Sequence, residues 1–189
     1  MLRNFIYVKD KFLSEEECDK VIKFFKTLPE DKKIPNKFFV KEGNYDGIFI
    51  NDDSPYLKNQ NLFFLKGRFQ NELNKYIKIY PELNYAPSFY LTEIRFKHWK
   101  NNNFFENWHA EQSIDNPYRI LNFMIYLSTH DCGTQFLDKR VIKSEKGRLV
   151  ILPAYFTHTH RGMPCPEKKD RYMFGGYFNF NKLKKKTFI

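Results

Sequence analysis

Hydrophobic residues recur with two different periods along the chain, and the change of period divides it into two parts. Before Pro87 they recur at helical spacing in two segments. Beyond Pro87 they fall into short runs separated by turn residues. The first pattern predicts two amphipathic helices, and the second predicts a series of closely spaced strands.

The N-terminal part carries clear signals for where its helices begin and end. Ser14 and Glu17 have the spacing of a capping box, in which each side chain binds the backbone N–H of the other residue. The helix that follows has one apolar face and is ended by Pro29. A second helix is predicted for residues 57–79, ended by Pro81. Short strands are predicted for residues 3–8, 37–40 and 47–51.

The part beyond Pro87 predicts a double-sheet fold. Its predicted strands are residues 88–99, 107–112, 119–128, 133–137, 141–143, 148–152, 157–162 and 171–180. Eight short strands are what a jelly roll requires. We therefore predict an α+β, mainly β fold, with a double-stranded β-helix (jelly-roll) core buttressed by N-terminal helices. One domain is expected over 1–189, with 1–87 as support, 88–180 as core and 181–189 as a basic tail.

Two residues in the jelly-roll part form a candidate pair of metal ligands. His109 and Glu111 are two positions apart, so on an extended strand their side chains share a face. A third ligand would come from His158 or His160, which are also two apart. Two histidines and one carboxylate leave three positions of a metal open, as in non-haem iron(II) oxygenases. A structural zinc site would instead close its coordination, usually with cysteine.

Arg171, at the start of the last predicted strand, is a candidate anion ligand. A guanidinium binds a carboxylate through two parallel hydrogen bonds. If Arg171 faces inward, then Met173, Gly175 and Tyr177 do so too, and Gly175 leaves room for a small ligand. The alternative is an arginine at the rim of the sheet with no ligand.

Composition narrows the classes of partner and compartment. The net charge of +10 favours an anionic partner, whether nucleic acid, an acidic protein or an acidic metabolite. The densest basic cluster, at residues 182–186, predicts a solvated tail. Cys18, Cys132 and Cys165 are odd in number and form no short-spaced pair, so we expect neither a disulfide framework nor a zinc knuckle. A reducing cytoplasm and no membrane association are expected, since neither a signal peptide nor a long apolar run is present.

Several segments together resemble the 2-oxoglutarate and iron(II)-dependent dioxygenases, within them the prolyl-hydroxylase-like branch with its small phage and bacterial members. The segments are Trp108-His109-Ala110-Glu111, residues 119–128, Gly133-Thr134-Gln135-Phe136, residues 146–153, His160-Arg161-Gly162-Met163-Pro164 and Arg171-Tyr172. The resemblance covers residues 88–180 and extends to the opening helix. Because the branch includes phage proteins, the resemblance adds the cytoplasm of a phage-infected host cell as an expected location.

The resemblance assigns roles to individual residues. It implies His109, Glu111 and His160 as metal ligands, with His160 favoured over His158 by its spacing from the preceding strand. It implies that Arg171 binds the distal carboxylate of 2-oxoglutarate and that Tyr126 adds a hydroxyl. The remaining expected cofactor-binding residues are Asn122 and Met124, which share a strand face with Tyr126, and Trp99, which stands where the branch often has tyrosine.

The implied activity is hydroxylation of a C–H bond, with Fe(II), 2-oxoglutarate and O2 as cofactors and ascorbate as a supporting reductant. No catalytic residue beyond the metal centre is implied. The favoured substrate is a prolyl or other residue in a peptide or protein. The alternatives are an oxygenase acting on a nucleic-acid base, in line with the +10 charge and the many aromatic residues, and a non-catalytic jelly-roll metal-binding module. Glu111 departs from the aspartate of most relatives, and the loop from His160 to Arg171 is slightly long.

Overall fold

The computed structural model of this protein describes residues 3–29, 34–35, 45–51, 60–100 and 103–180. The strand predicted at 37–40 and the basic tail predicted at 181–189 lie outside these residues. In the described residues the protein is mainly β, with two α-helices and two antiparallel sheets. The mainly β prediction with supporting helices is confirmed at this level.

The strands are arranged in one large and one small sheet. In chain order they are β1 (Tyr7–Lys9), β2 (Ile34–Pro35), β3 (Tyr45–Asn51), β4 (Phe89–Trp99), β5 (Arg119–Tyr126), β6 (Gly133–Phe136), β7 (Val141–Lys143), β8 (Leu149–Pro153), β9 (His160–Gly162) and β10 (Arg171–Phe180). The large sheet has the order β1-β8-β5-β10-β4-β3-β2, and the small sheet has the order β7-β6-β9. The long strand β10 therefore lies between β4 and β5 in the large sheet.

The two helices cover the large sheet and form the main core with it. Helix α1 (Glu15–Thr27) begins with the predicted capping box, and α2 (Gln60–Ile79) ends just before a short 3-10 helix at Pro81–Tyr85. The ring of Phe25 stacks on that of Phe96 with 5.0 Å between the ring centroids, and the ring centroids of Phe69 and Phe123 are 4.5 Å apart. Neither helix, over the residues described, has the combined length and apolarity of a membrane span. Buried residues of both helices, among them Val21, Phe25, Leu65 and Phe69, belong to the main core.

Three of the predicted strands need correction. The strand predicted at residues 3–8 is formed only by Tyr7–Lys9. Residues 107–112 form no strand, because their backbone makes only separate hydrogen bonds, such as Gln112 N–H to Ala154 O, and a single bridge between His109 and His160. The strand predicted at 157–162 begins only at His160, since a 3-10 helix occupies Phe156–His158. His158 and His160 consequently do not share a strand face.

The cysteines also depart from expectation. Cys132 and Cys165 form a disulfide, although the number and spacing of the cysteines predict no disulfide framework. Their separation of 33 residues concealed the pair, and the pairing of β6 with β9, which sets Thr134 opposite Gly162, brings them together. Cys18 is a buried free thiol.

Candidate metal and anion site

Three potential metal ligands converge where the segment before β5 meets β9. Nε2 of His109 and Nε2 of His160 each lie 3.6 Å from Oε1 of Glu111. The ligand atoms of all three residues lie within 4.8 Å of one another. Reciprocal backbone hydrogen bonds of 3.0 Å between His109 and His160 hold the two histidines side by side. Two nitrogens and one carboxylate oxygen at this spacing fit one divalent ion.

The hydrogen bonds of the two histidines fix which ring nitrogen faces the cluster. Nδ1 of His109 lies 3.0 Å from the carbonyl of Asn107, and Nδ1 of His160 lies 2.8 Å from the carbonyl of His158. A carbonyl oxygen only accepts, so each Nδ1 carries the proton and each neutral imidazole presents its Nε2 lone pair. Both rings are therefore prepared to bind a metal.

The carboxylate of Glu111 is held through both of its oxygens. Asn122 Nδ2 donates to Oε1 at 3.0 Å, and the Tyr177 hydroxyl donates to Oε2 at 2.7 Å. Arg119 Nη1 donates to the backbone carbonyl of Glu111 at 3.1 Å, and its guanidinium carbon lies 3.5 Å from the centre of the Tyr177 ring. These contacts fix the side-chain orientation of a ligand that has one more rotatable bond than aspartate.

Burial and nearby charge set the protonation of this carboxylate and its donor. Burial disfavours the carboxylate, but interactions with the adjacent His109 and His160 rings outweigh it and keep the pKa of Glu111 well below its ordinary value. Burial, together with the adjacent Glu111 carboxylate, raises the pKa of Tyr177 well above its ordinary value. Glu111 is thus the acceptor and Tyr177 the donor in the neutral pH range.

Arg171, at the start of β10, provides a buried positive charge in the same cavity. It is 8% exposed, its Nη1 donates to the carbonyl of Met163 at 3.1 Å, and its guanidinium carbon lies 5.5 Å from the Trp99 ring centre. Burial lowers the pKa of Arg171, and Tyr126 opposes this effect. No carboxylate of the described residues pairs with this guanidinium at ion-pair distance. A buried cation without a counter-ion is costly, so an anionic ligand is the natural partner.

The other predicted cofactor-binding residues have different hydrogen-bond partners within the protein. Tyr126 OH lies 2.6 Å from Thr134 Oγ1, which also contacts Met124 Sδ at 3.9 Å. Asn122 instead binds Glu111, so its position supports the metal ligand. One cavity is lined by both groups of residues. Its lining includes Trp99, Phe105, His109, Glu111, Asn122, Met124, Tyr126, Thr134, His160, Arg171, Met173 and Tyr177.

His158 lies away from this cluster. Its Nε2 is 2.8 Å from the carbonyl of Asn4, and its Nδ1 is 2.9 Å from Thr157 Oγ1. Both nitrogens therefore have partners within the fold. Of the two histidines that the sequence left open, the structure brings His160 to His109 and Glu111.

Sequence reasoning missed the roles of Tyr177, Arg119 and Thr134. Tyr177 lies on the same face of β10 as Arg171, and the alternation of side chains along a strand could have placed it in the site. Nothing in the sequence marks Arg119 as the residue that stacks on Tyr177. Gly175 borders the cavity, but a Cβ there would lie 2.9 Å from the carbonyl oxygen of Phe123. The close approach of β10 to β5 therefore requires a glycine at position 175. The missing side chain also leaves room for a ligand.

Comparison with known proteins identifies the fold. No protein-family model matches the chain, and no curated protein sequence matches it significantly. A Pseudomonas putida prolyl-4-hydroxylase superposes with a TM-score of 0.70 at 15% identity, covering 95% of this chain and 94% of its own. The viral collagen prolyl hydroxylase of Paramecium bursaria Chlorella virus 1, solved with 2OG, gives 0.66 at 16% identity, covering 94% and 97%. A Trichoplax adhaerens prolyl hydroxylase, solved with a hypoxia-inducible-factor peptide fragment, gives 0.66 at 14% identity, covering 93% and 84%.

Proposed function

We propose that this protein, which has the fold of the prolyl hydroxylases, is an iron(II)- and 2-oxoglutarate-dependent dioxygenase. One observation carries the proposal: two histidines and a carboxylate share a single cavity with the buried cation of Arg171. A metal with open positions beside an anion-binding arginine is the minimum such an enzyme needs. In this proposal the two sheets form a double-stranded β-helix within one domain, and residues 1–87 support it.

His109, Glu111 and His160 would hold iron(II). When bound, iron and 2-oxoglutarate would supply the oxidising chemistry. The decarboxylation of 2-oxoglutarate by O2, which gives succinate and CO2, would be coupled to hydroxylation of a C–H bond. The contribution of the chain is to fix the ligands. The two Nδ1 hydrogen bonds set the histidine tautomers, and Tyr177 and Asn122 set the carboxylate.

Arg171 would bind the distal carboxylate of 2-oxoglutarate, with the hydroxyl of Tyr126 as a second donor. Thr134 supports this arrangement when its hydroxyl donates to the oxygen of Tyr126, because the Tyr126 proton is then left for the carboxylate. Trp99 and Met124 give the cavity apolar walls, and both are buried. Such walls exclude water and so strengthen the ion pair between Arg171 and an incoming carboxylate.

For the substrate, we propose a prolyl or other residue in a peptide or protein. Two kinds of observation support this choice. The structural neighbours reported above are prolyl hydroxylases, and one of them was solved with a peptide. In this chain, Trp108 precedes the metal-ligand candidate His109, is 40% exposed, and has the Arg161 guanidinium carbon 4.6 Å from its ring centre. An exposed aromatic next to the site suits contact with a peptide.

The test is succinate formation from 2-oxoglutarate by purified protein supplied with Fe(II), ascorbate and O2. Wild type should form succinate, and the His109→Ala variant should not. An Arg140→Lys variant serves as the control, because Arg140 is an exposed residue paired with Asp138. Absence of succinate under all iron and ascorbate conditions would favour the non-catalytic metal-binding module.

A second assay addresses the substrate. Pools of peptides and of oligonucleotides are incubated with the active enzyme, and mass spectrometry detects gain of one oxygen atom. Oxygen incorporated into peptides alone would support the proposal. Oxidation of oligonucleotides, together with oligonucleotide binding that weakens steeply as the salt concentration rises, would favour the alternative hypothesis of a nucleic-acid substrate.

A further inference from the structure

A second group of metal-binding side chains lies between the turn after β5 and the loop before β10. His130, Cys165 and Glu167 offer ligand atoms within 4.8 Å of one another. Cys132 joins them, because it is disulfide-bonded to Cys165. Four side chains of metal-binding type thus meet at one place, and none of them belongs to the site described above.

The imidazole of His130 is aimed into this group. The residue is 5% exposed, and its buried Nδ1 makes no hydrogen bond within the part of the chain that the structure describes. Oε2 of Glu167 lies 3.6 Å from this Nδ1, which is just beyond hydrogen-bonding distance. Its other nitrogen, Nε2, lies 2.9 Å from Ser128 Oγ. A disulfide needs neither a histidine nor a carboxylate beside it, so the buried Nδ1 requires another explanation.

Backbone hydrogen bonds hold the two segments in place. Met163 N–H donates to the Gly133 carbonyl at 2.9 Å, and Ser144 N–H donates to the Cys132 carbonyl at 2.8 Å. Asp131 N–H donates to Oε1 of Glu167 at 3.1 Å. The cluster is therefore built on paired strands and short turns, which keep the four side chains at one place in the fold.

We propose that, when Cys132 and Cys165 are reduced, this group binds zinc through His130 Nδ1, the two thiolates and the Glu167 carboxylate. Two thiolates, an imidazole and a carboxylate make a closed four-ligand set, which is typical of structural zinc. Bonds of about 2.0 to 2.3 Å in a tetrahedron place ligand atoms roughly 3.3 to 3.8 Å apart. The 3.6 Å between His130 Nδ1 and Glu167 Oε2 lies within that range.

The electrostatic surroundings suit this ligand set. Two thiolates and one carboxylate exceed the charge of Zn²⁺ by one negative charge. Metal binding uses the neutral imidazole of His130. A proton on Nε2, donated to Ser128 Oγ, leaves the Nδ1 lone pair for zinc.

The disulfide seen in the structure is then the metal-free, oxidised form of the same group. Hydrogen peroxide would take two electrons from the two thiolates, which form the S–S bond. The peroxide O–O bond is cleaved, and with two protons it yields two molecules of water. Zn²⁺ is released because the disulfide sulfurs are no longer thiolate ligands.

The group also touches the anion site. Met163, two residues before Cys165, supplies the carbonyl that accepts from Arg171. Ser128 Oγ, the partner of His130, accepts from the backbone N–H of Tyr172 at 3.0 Å. Under the function proposed above, loss of zinc would thus weaken 2-oxoglutarate binding, but the zinc site itself does not depend on that function.

The experiment uses full-length protein in which His109→Ala and His160→Ala remove the first site. The protein is purified under reducing conditions, and its zinc is measured by mass spectrometry after removal of loosely bound metal. We expect one zinc per chain, released by hydrogen peroxide. Cobalt substitution should give intense visible bands and near-ultraviolet thiolate-to-cobalt charge transfer, as for tetrahedral thiolate coordination.

Variants decide whether the proposed ligands are the real ones. In the same background, His130→Gln and a Cys132→Ser, Cys165→Ser double variant should lose zinc and the cobalt spectrum. Cys18→Ala, which removes the remaining thiol, should keep both. Circular dichroism checks that each variant is folded. Reduced, folded background protein without zinc, or zinc retained by the cysteine double variant, would overturn the proposal whatever the outcome of the succinate assay.

Discussion

The hydroxyl of Tyr177 and the carboxylate of Glu111 are joined by a 2.7 Å hydrogen bond. Asn122 binds the other carboxylate oxygen at 3.0 Å. Because burial and the neighbouring carboxylate raise the pKa of Tyr177, it stays a donor over the neutral range. Two donors therefore hold a glutamate where most proteins of the resembled family have the shorter aspartate. Tyr177 is in this view a positioning residue for the metal ligand.

Changing Tyr177 to phenylalanine should weaken metal binding while the ring stays in place against Arg119. Loss of a hydrogen bond to a metal-binding carboxylate typically lowers affinity about 10- to 100-fold. The measurement is titration of the apoprotein with Fe(II) or Mn(II) under anaerobic conditions. Tyr172→Phe is the matched control, because that hydroxyl lies near Asp170 and away from the metal ligands. Equal metal affinity in wild type and Tyr177→Phe would show that the hydrogen bond does not position Glu111.

Replacing Glu111 by aspartate should also weaken metal binding, by about tenfold. The shorter side chain withdraws its oxygens from the donors of Tyr177 and Asn122, which the fold places for glutamate. The measurement is the same titration, with Glu111→Gln as the variant that keeps length but loses charge. Tighter binding by Glu111→Asp than by wild type would mean that the site is built for the shorter ligand.

His158 and His160 provide a matched pair for testing the third ligand. His160→Ala should abolish Fe(II) or Mn(II) binding at the site of His109 and Glu111, since its Nε2 faces Glu111. His158→Ala should keep metal binding but lower the free energy of unfolding by about 1 to 3 kcal/mol, because the carbonyl of Asn4 loses its partner. Metal titration and urea unfolding of both variants measure the two effects. The reverse pattern would make His158 the ligand.

Arg171→Met should raise the KM for 2-oxoglutarate roughly 10- to 100-fold, which corresponds to loss of a hydrogen-bonded charge pair. Arg171→Lys should raise it less, since the positive charge remains but the planar guanidinium is lost. The affinity for metal should not change in either variant. A succinate assay at varied 2-oxoglutarate measures the KM, and Arg140→Lys is again the control. An unchanged KM in Arg171→Met would remove this residue from the anion site.

Local sequence signals predicted the elements that local interactions determine. The capping box at Ser14 and Glu17 fixed the start of α1, because both hydrogen bonds join residues three apart. The alternation along β10 likewise placed Tyr177 on the face of Arg171. These features depend on neighbours in sequence, so one sequence suffices to find them.

Features that depend on register between distant segments were beyond reach of the sequence. The backbone of residues 107–112 makes separate hydrogen bonds and no continuous ladder, so the strand predicted there was wrong. No pattern of residues in the sequence indicates this. The contact of Cys132 with Cys165 follows from the pairing of β6 with β9. The two cysteines are 33 residues apart in the sequence, so no short spacing marks them as a pair. The stacking of Arg119 on Tyr177 similarly requires β5 to lie beside β10.

Tyr7→Phe should reveal a pH-dependent link between β1 and α2. Tyr7 donates to Oε2 of Glu72 at 2.6 Å, and Lys75 donates to Oε1 at 2.6 Å. Burial, reinforced by Glu72, raises the pKa of Tyr7 to about 12. For Glu72, burial acts to raise the pKa, but the bonds from Lys75 and Tyr7 outweigh it and lower the pKa.

These shifts define the pH window in which the link stabilises the fold. Tyr7, with its raised pKa, contributes fully below pH 10.0, its ordinary pKa, and the contribution is lost as pH rises towards about 12. Glu72, with its lowered pKa, contributes above its ordinary value of 4.5, and the contribution is lost as pH falls through its folded pKa. We expect Tyr7→Phe to cost about 1 to 2 kcal/mol at neutral pH. The difference from wild type should shrink above pH 10, as measured by urea unfolding. Tyr85→Phe, at a residue 93% exposed, is the control, and a difference that stays constant from neutral pH to pH 12 would rule out the link.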